Sequence, residues 1–126
     1  MNKRILMVED TEDNRQILRD LFAGTDYELI EAVDGAAGIA MAAIHKPDLI
    51  LMDIQLPDMD GMAALKKLRA DSDTRGMKVM AVSASVMPED RSRILAAGFD
   101  GFQGKPIKLN EFLEAVAAML VKSENH

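Results

Sequence analysis

Residues 49–61 read Leu49-Ile50-Leu51-Met52-Asp53-Ile54-Gln55-Leu56-Pro57-Asp58-Met59-Asp60-Gly61. Four consecutive apolar residues describe a short strand buried on both faces. The run stops abruptly at a carboxylate, and Pro57 and Gly61 punctuate the loop beyond it. A strand apolar on both faces belongs in a parallel sheet covered by helices, and the rest of the chain supplies both.

Residues 5–8, 29–32 and 79–82 are again short and largely apolar, and a weaker fifth strand falls near 99–103, where Gly101 counts against it. Helix-length segments lie between. Thr11 is placed to cap a helix running to about Phe22, with Ile17, Leu18, Leu21 and Phe22 on its buried side. An Ala-rich helix over 35–44 is closed by Lys46-Pro47, since proline cannot continue it. Met62, Leu65 and Leu68 mark a third helix. A fourth opens at Pro88 and ends at Gly98, a natural residue for the turn beyond a helix. In the last, Leu109, Phe112, Leu113, Val116, Met119 and Leu120 share one stripe, with Asn110 a candidate cap and only residues 123–126 left as a tail. Five strands alternating with five helices predict an α/β doubly wound parallel sheet, and the flavodoxin-like strand order 2-1-3-4-5, one of the common doubly wound orders, is the one expected for it.

The chain has 126 residues, no cysteine, and 21 acidic against 15 Lys and Arg residues, for a formal charge of −6. This length makes one domain with a proper core. The lack of cysteine excludes a disulfide scaffold and thiolate chemistry, and fits a reducing cytoplasmic setting. No stretch resembles a signal peptide or a membrane span, and the acidic balance argues against nucleic acid as a partner. The ten methionines read as core filler, with Met59, Met62 and Met87 near the loops expected to be partly exposed. His45 reads as a helix-end cation, and His126 as a terminus rather than a ligand.

The residues just past each strand carry the chemistry. The first strand runs into Glu9-Asp10, the third into Asp53, the fourth into Ser83, and the fifth leads to Lys105-Pro106. In a parallel sheet all these positions share the C-terminal edge, where such folds bind ligands. In the expected order, strands one and three are neighbours about 4.8 Å apart, so Asp10 faces Asp53. Two unit charges 4 Å apart near a protein surface repel by about 4 kcal/mol. With Lys105 the one cation at this edge, either some of the three carboxylates are protonated or a hard divalent cation lies between them. Oxygen-only ligands favour Mg²⁺. Lys105 can pair with a phosphate, Ser83 can donate a hydroxyl to it, and Asp53 can act as a carboxylate nucleophile.

Val8-Glu9-Asp10, the run from Asp53 to Gly61, Ala81-Val82-Ser83-Ala84 and Lys105-Pro106 together resemble the receiver domains of two-component response regulators, over the whole chain. The resemblance implies that Asp53 is the phosphoacceptor and that Asp10, Asp53 and the Gln55 backbone carbonyl ligate Mg²⁺, with Glu9 acting mostly through water. It implies that Ser83 and Lys105 contact the phosphoryl group, that the bond to Pro106 is cis, and that Phe102 is the switch aromatic. Gln55, Ala84 and Ser85 would tune hydrolysis. Ser83 stands where Thr is frequent and Phe102 where Tyr is common, so the switch lacks one methyl and one hydroxyl. The implied protein is a phosphoacceptor regulator rather than an enzyme. It would be a stand-alone single domain over 1–126, a monomer or weak dimer, fed by a sensor histidine kinase or a His-phosphotransfer protein and acting on a downstream protein target.

Two other functions fit the topology less well. A magnesium-dependent phosphatase with an Asp nucleophile needs a second Asp two residues after the first, but Asp10 is followed by Thr11-Glu12. A flavin carrier needs a small-residue phosphate loop after strand one, where Glu9 and Asp10 would repel a phosphate.

Overall fold

A computed structural model describes residues 3–84, 87–105 and 107–124. Ser85, Pro106 with its peptide bond, and His126 lie outside the described residues. The elements run β1 (Arg4–Val8), α1 (Glu12–Phe22), β2 (Glu28–Ala32), α2 (Gly35–His45), β3 (Leu49–Asp53), α3 (Gly61–Ala70), β4 (Val79–Ser83), α4 (Pro88–Ala96), β5 (Gly101–Gly104) and α5 (Leu109–Glu124). All four strand pairs are parallel, as the alternation predicts, and the order β2-β1-β3-β4-β5 is the flavodoxin-like one expected.

Because side chains alternate across a strand, the sheet divides its apolar residues between two cores. Leu6, Val8, Ile50, Met52, Val79 and Ala81 point to the side covered by α2, α3 and α4. Ile5, Met7, Leu49, Leu51, Met80 and Val82 point to the other, where Leu18 and Phe22 of α1 meet Phe112, Val116 and Leu120 of α5. Each of the buried Val, Leu, Ile, Met and Phe side chains contributes about 1.5–3 kcal/mol relative to exposure.

Local signals place the helix ends. Asp34 caps α2, its carboxylate accepting from Ala37 N at 2.8 Å, and Asp60 caps α3 in the same way through Ala63 N at 2.7 Å. Gly98, at φ +112°, turns the chain out of α4 in a conformation L side chains rarely adopt. Glu12 and Asp13 stand in the first turn of α1, where the helix dipole favours acids.

Several sequence expectations need correction. Ile17 is 49% exposed: the inner stripe of α1 is Leu18 and Phe22, one full turn apart, and Ile17 turns to the rim. Leu109 is also exposed, since the first turn of α5 precedes its contact with the sheet. Asn110 is not the α5 cap, because the helix is already under way at Leu109 and the Lys108 carbonyl accepts from Phe112 N at 2.9 Å. Thr11 does occupy the capping position of α1, but without a side-chain cap bond. The supposed tail at 123–124 is the end of α5. β5 begins at Gly101 rather than at 99: Phe99 is core, and Gly101 lies under Met119, whose Cε would be 2.6 Å from a Cβ there.

Candidate functional site

β1 and β3 are direct neighbours, with Val8 opposite Met52. The chain leaves β1 at Glu9-Asp10, and Asp53 closes β3, so three carboxylates arrive together. Oxygen atoms of Glu9, Asp10 and Asp53 lie within 4.8 Å of one another. Glu9 is 3% and Asp53 7% exposed, whereas Asp10 faces solvent. Buried carboxylates persist only when partnered. Lys105 Nζ donates to Glu9 Oε1 and to Asp53 Oδ2, both at 3.1 Å. Thr11 N donates to Glu9 Oε2 at 3.2 Å and Gln55 N to Asp53 Oδ1 at 2.9 Å. Burial alone would pull the Lys105 ammonium down, but bonds and charge from Glu9 and Asp53 outweigh it and hold its pKa above the ordinary lysine value.

The backbone around these groups is tied at several points. Glu9 N donates to Ala32 O at 3.0 Å, joining the ends of β1 and β2, and Arg15 Nη1 donates to Glu9 O at 2.8 Å. After Asp53 the loop closes on itself: Gly61 N donates to Ile54 O at 2.7 Å and Gln55 forms an antiparallel bridge with Asp60. Ile54 N reaches across to Val82 O on β4. Gln55, exposed, thus has its backbone held directly beside the Asp53 carboxylate.

On the other side, Ser83 ends β4 with only 6% exposure, opposite Gly104, and its carbonyl accepts from Lys105 N at 2.9 Å. Ala84, next in the chain, is exposed. Phe102 pairs with Ala81 and is half-buried against the α2–α3–α4 core. The Arg91 guanidinium lies 5.2 Å from its ring centre, a cation–π contact. The sheet edge therefore gathers Glu9, Asp10, Asp53, Gln55, Ser83 and Lys105, while Phe102 lies a short way down β5. Met87, at 51%, is exposed near this edge as expected, and Met59 and Met62 are half-buried.

A cavity of about 210 Å³ opens beside the carboxylates, walled by Glu9 and Lys105 and lined by Asn14, Ile17, Leu18, Val82 and Ile107. The carboxylate cluster itself suits a small hard cation: three oxygen donors converge and Lys105 offsets only one of their charges. A dication there would leave open positions for a further oxyanion.

Three contributors carry no assignment from the sequence. Arg15 holds the Glu9 carbonyl, Arg91 stacks on Phe102, and Asp58 accepts from Gly35 N at 2.8 Å and Ala36 N at 2.9 Å. Arg15 lies six residues from Glu9, across the turn from β1 into α1, a separation that helical periodicity does not single out. Neither Arg91 nor Asp58 has a local signal, since each partner comes from another element.

The sequence matches the response regulator receiver domain family over residues 5–117. It is 39% identical over 120 residues to the polar-differentiation response regulator DivK of Brucella anthropi, covering 95% of this chain and 98% of that protein. The DivK of Brucella ovis matches to the same extent. Among solved structures, a CheY-like receiver domain protein from Methanospirillum hungatei superposes with a TM-score of 0.87 at 30% identity, covering 98% of each chain. The receiver domain of a sensor histidine kinase from Pseudomonas aeruginosa, with a magnesium ion coordinated in its active site cleft, gives 0.88 at 28% identity over 96% of this chain and 99% of that one.

Proposed function

The chain belongs to the response regulator receiver domain family of two-component signalling, and from that premise we propose that Asp53 is its phosphoacceptor, served by Lys105 and Ser83 and by Mg²⁺ held at Glu9, Asp10, Asp53 and the Gln55 carbonyl. One observation carries the reading. Asp53 is a nearly buried carboxylate at the open end of the sheet, bonded to Lys105 and grouped with two further acids. A structural acid needs one partner, not a converging acidic set that raises its own repulsion.

The donor is a phosphohistidine of a sensor kinase or a phosphotransfer protein. An Asp53 oxygen forms the new O–P bond, the N–P bond breaks, and the imidazole nitrogen keeps its electron pair and takes up a proton. Bound Mg²⁺ supplies charge neutralisation for the transferring group. Lys105, already within 3.1 Å of Asp53 Oδ2, turns its ammonium to a phosphoryl oxygen. Gln55 N, on Asp53 Oδ1, keeps the carboxylate oriented. Water later attacks the phosphorus, the O–P bond to Asp53 breaks, and inorganic phosphate leaves as the carboxylate is restored; the chemistry proposed is self-phosphorylation and self-dephosphorylation only. The Ser83 hydroxyl is drawn to the phosphoryl group and Phe102 turns inward, a population shift biased by contacts present in one state only. The output is read by a downstream protein.

The magnesium-bound cleft of the Pseudomonas receiver supports the metal assignment. No helix among the described residues is long and apolar enough to cross a membrane. The cysteine-free composition supports a cytoplasmic setting.

Acetyl phosphate with Mg²⁺ should add one hydroxylamine-labile phosphoryl group to the wild type and none to Asp53→Asn, read by intact mass. Equal labelling of both overturns the assignment. Millimolar Mg²⁺ should also raise the wild-type melting temperature by binding the folded state alone.

A further inference from the structure

The loop after Asp53 is fastened to a part of the fold that the proposed chemistry does not use. Asp58, at its tip, spans to the start of α2, 23 residues earlier, and its two carboxylate oxygens accept from Gly35 N at 2.8 Å and Ala36 N at 2.9 Å. Met59 lies against Gly35 so closely that a Cβ there would stand 2.6 Å from its Cγ. The grip favours the ionised acid: the Ala36 and Gly35 N–H groups hold the Asp58 carboxyl below its usual range.

As a helix cap alone this would be only one of two, because Asp34 already serves the same helix through Ala37 N. What distinguishes Asp58 is the circuit it closes. The end of β1 is bonded to the end of β2 through Glu9 N and Ala32 O. β2 leads directly into α2, whose first N–H groups hold Asp58. From Asp58 the loop returns to Gln55, which is braced by its bridge to Asp60 and donates to Asp53. The two loops that carry the carboxylates are thus joined to each other twice: through the sheet, and through the first turn of α2.

We propose that Asp58 is a positioning residue for phosphoryl transfer at Asp53: by locking the β3–α3 loop to the N-terminus of α2, it sets the place of the Gln55 backbone relative to Glu9, Asp10 and Asp53. The inference rests on the reading of Asp53 as phosphoacceptor. Outer residues that orient metal ligands typically change metal affinity 10–100-fold when removed, and Asp58 acts at the weaker end because Gln55 keeps its other braces.

Asp58→Ala is therefore expected to weaken Mg²⁺ binding by about tenfold in calorimetry and to raise the Mg²⁺ needed for half-maximal acetyl phosphate labelling to match, with the labelling rate at saturating Mg²⁺ little changed. Asp58→Asn, which keeps one acceptor oxygen, should fall between it and the wild type. Amide hydrogen exchange in metal-free protein should speed up at Gln55 as well as at Gly35 and Ala36. Asp34→Ala is the control, since it removes the other cap of α2 and leaves the loop attached. If Asp58→Ala leaves Mg²⁺ affinity and Gln55 exchange unchanged, or if Asp34→Ala shifts them equally, the positioning role is overturned and Asp58 is a helix cap. If the wild type takes no label at Asp53, the phosphoacceptor reading fails instead, and Gln55 exchange still judges the clamp by itself.

Discussion

The two walls of the cleft are built to different standards. On the carboxylate wall, every residue of β3 is buried, Glu9 and Asp53 are held by two hydrogen bonds each, and the loop after β3 is tied to β4, to itself and to α2. On the wall of β5, all four residues are only half-buried, and the aromatic proposed to move is met from α4 by one guanidinium. Metal and phosphoryl binding need ligands fixed before the guest arrives, so that little ordering entropy is lost on binding. A switch needs the reverse: a segment whose alternatives differ by a few kcal/mol, so that one phosphoryl group can shift the balance. The division of rigidity therefore matches the division of labour proposed for Asp53 and Phe102.

Adding one methyl to each wall should expose the largest difference between them. At Gly61 a Cβ would stand 2.7 Å from the Asp53 carbonyl oxygen and 2.9 Å from Ile54 Cα, both backbone atoms. Gly61→Ala should cost about 3 kcal/mol, the upper end of overpacking, in urea denaturation. At Gly101 the nearest atom is the flexible end of Met119, so Gly101→Ala should cost about 1 kcal/mol or less. Equal costs would mean that the two walls are equally stiff.

A smaller effect is expected at Phe102, the aromatic proposed to switch. Arg91→Ala removes a cation–π contact worth about 0.5–1 kcal/mol at an exposed site. It should shift the Phe102 ring resonances toward those of the phosphorylated protein, and Arg91→Lys should restore part of the difference. No change in the ring signals would show that Arg91 does not bias the aromatic.

The smallest effect should come from the outer face of the carboxylate wall. Bonds from Arg19 and Arg15 hold the Glu12 carboxyl down to about 2, but the group is exposed and screened. A depressed acid contributes stability that is present above its unfolded value near 4.5 and lost as pH falls toward 2. Glu12→Gln should thus flatten the pH dependence of the melting temperature within that window, and lower the curve above pH 5 slightly and evenly without changing its slope.

Much of the fold is legible in the sequence because its signals are local. Residues 49–52 are apolar without interruption, Pro88 and Gly98 bracket α4, and Asp34 and Asp60 precede the helices they cap. Glu9, Asp10, Asp53, Ser83 and Lys105 are legible for a related reason. Each lies at or just past a strand end, and a parallel sheet brings every strand end to one edge. Ile17 defeats sequence reading because a helical stripe is wider than one row of side chains, and only the placement of α5 beside α1 on the sheet decides which neighbour of Leu18 is covered. Asp58 has no role that its own motif reveals, since nothing in residues 49–61 says that the first turn of α2 lies within reach of its carboxylate.

The sequence alone determined which segments become strands and helices, and which charged residues end the strands, because burial on two faces and helix capping are properties of a few adjacent residues. The tertiary structure alone decided that one lysine bridges Glu9 and Asp53, that Asp58 grips Gly35 and Ala36, and that Arg91 covers Phe102. Those contacts join groups 11 to 96 residues apart, and at such separations the partners are chosen by how the crossover helices pack on the twisted sheet, not by spacing along the chain.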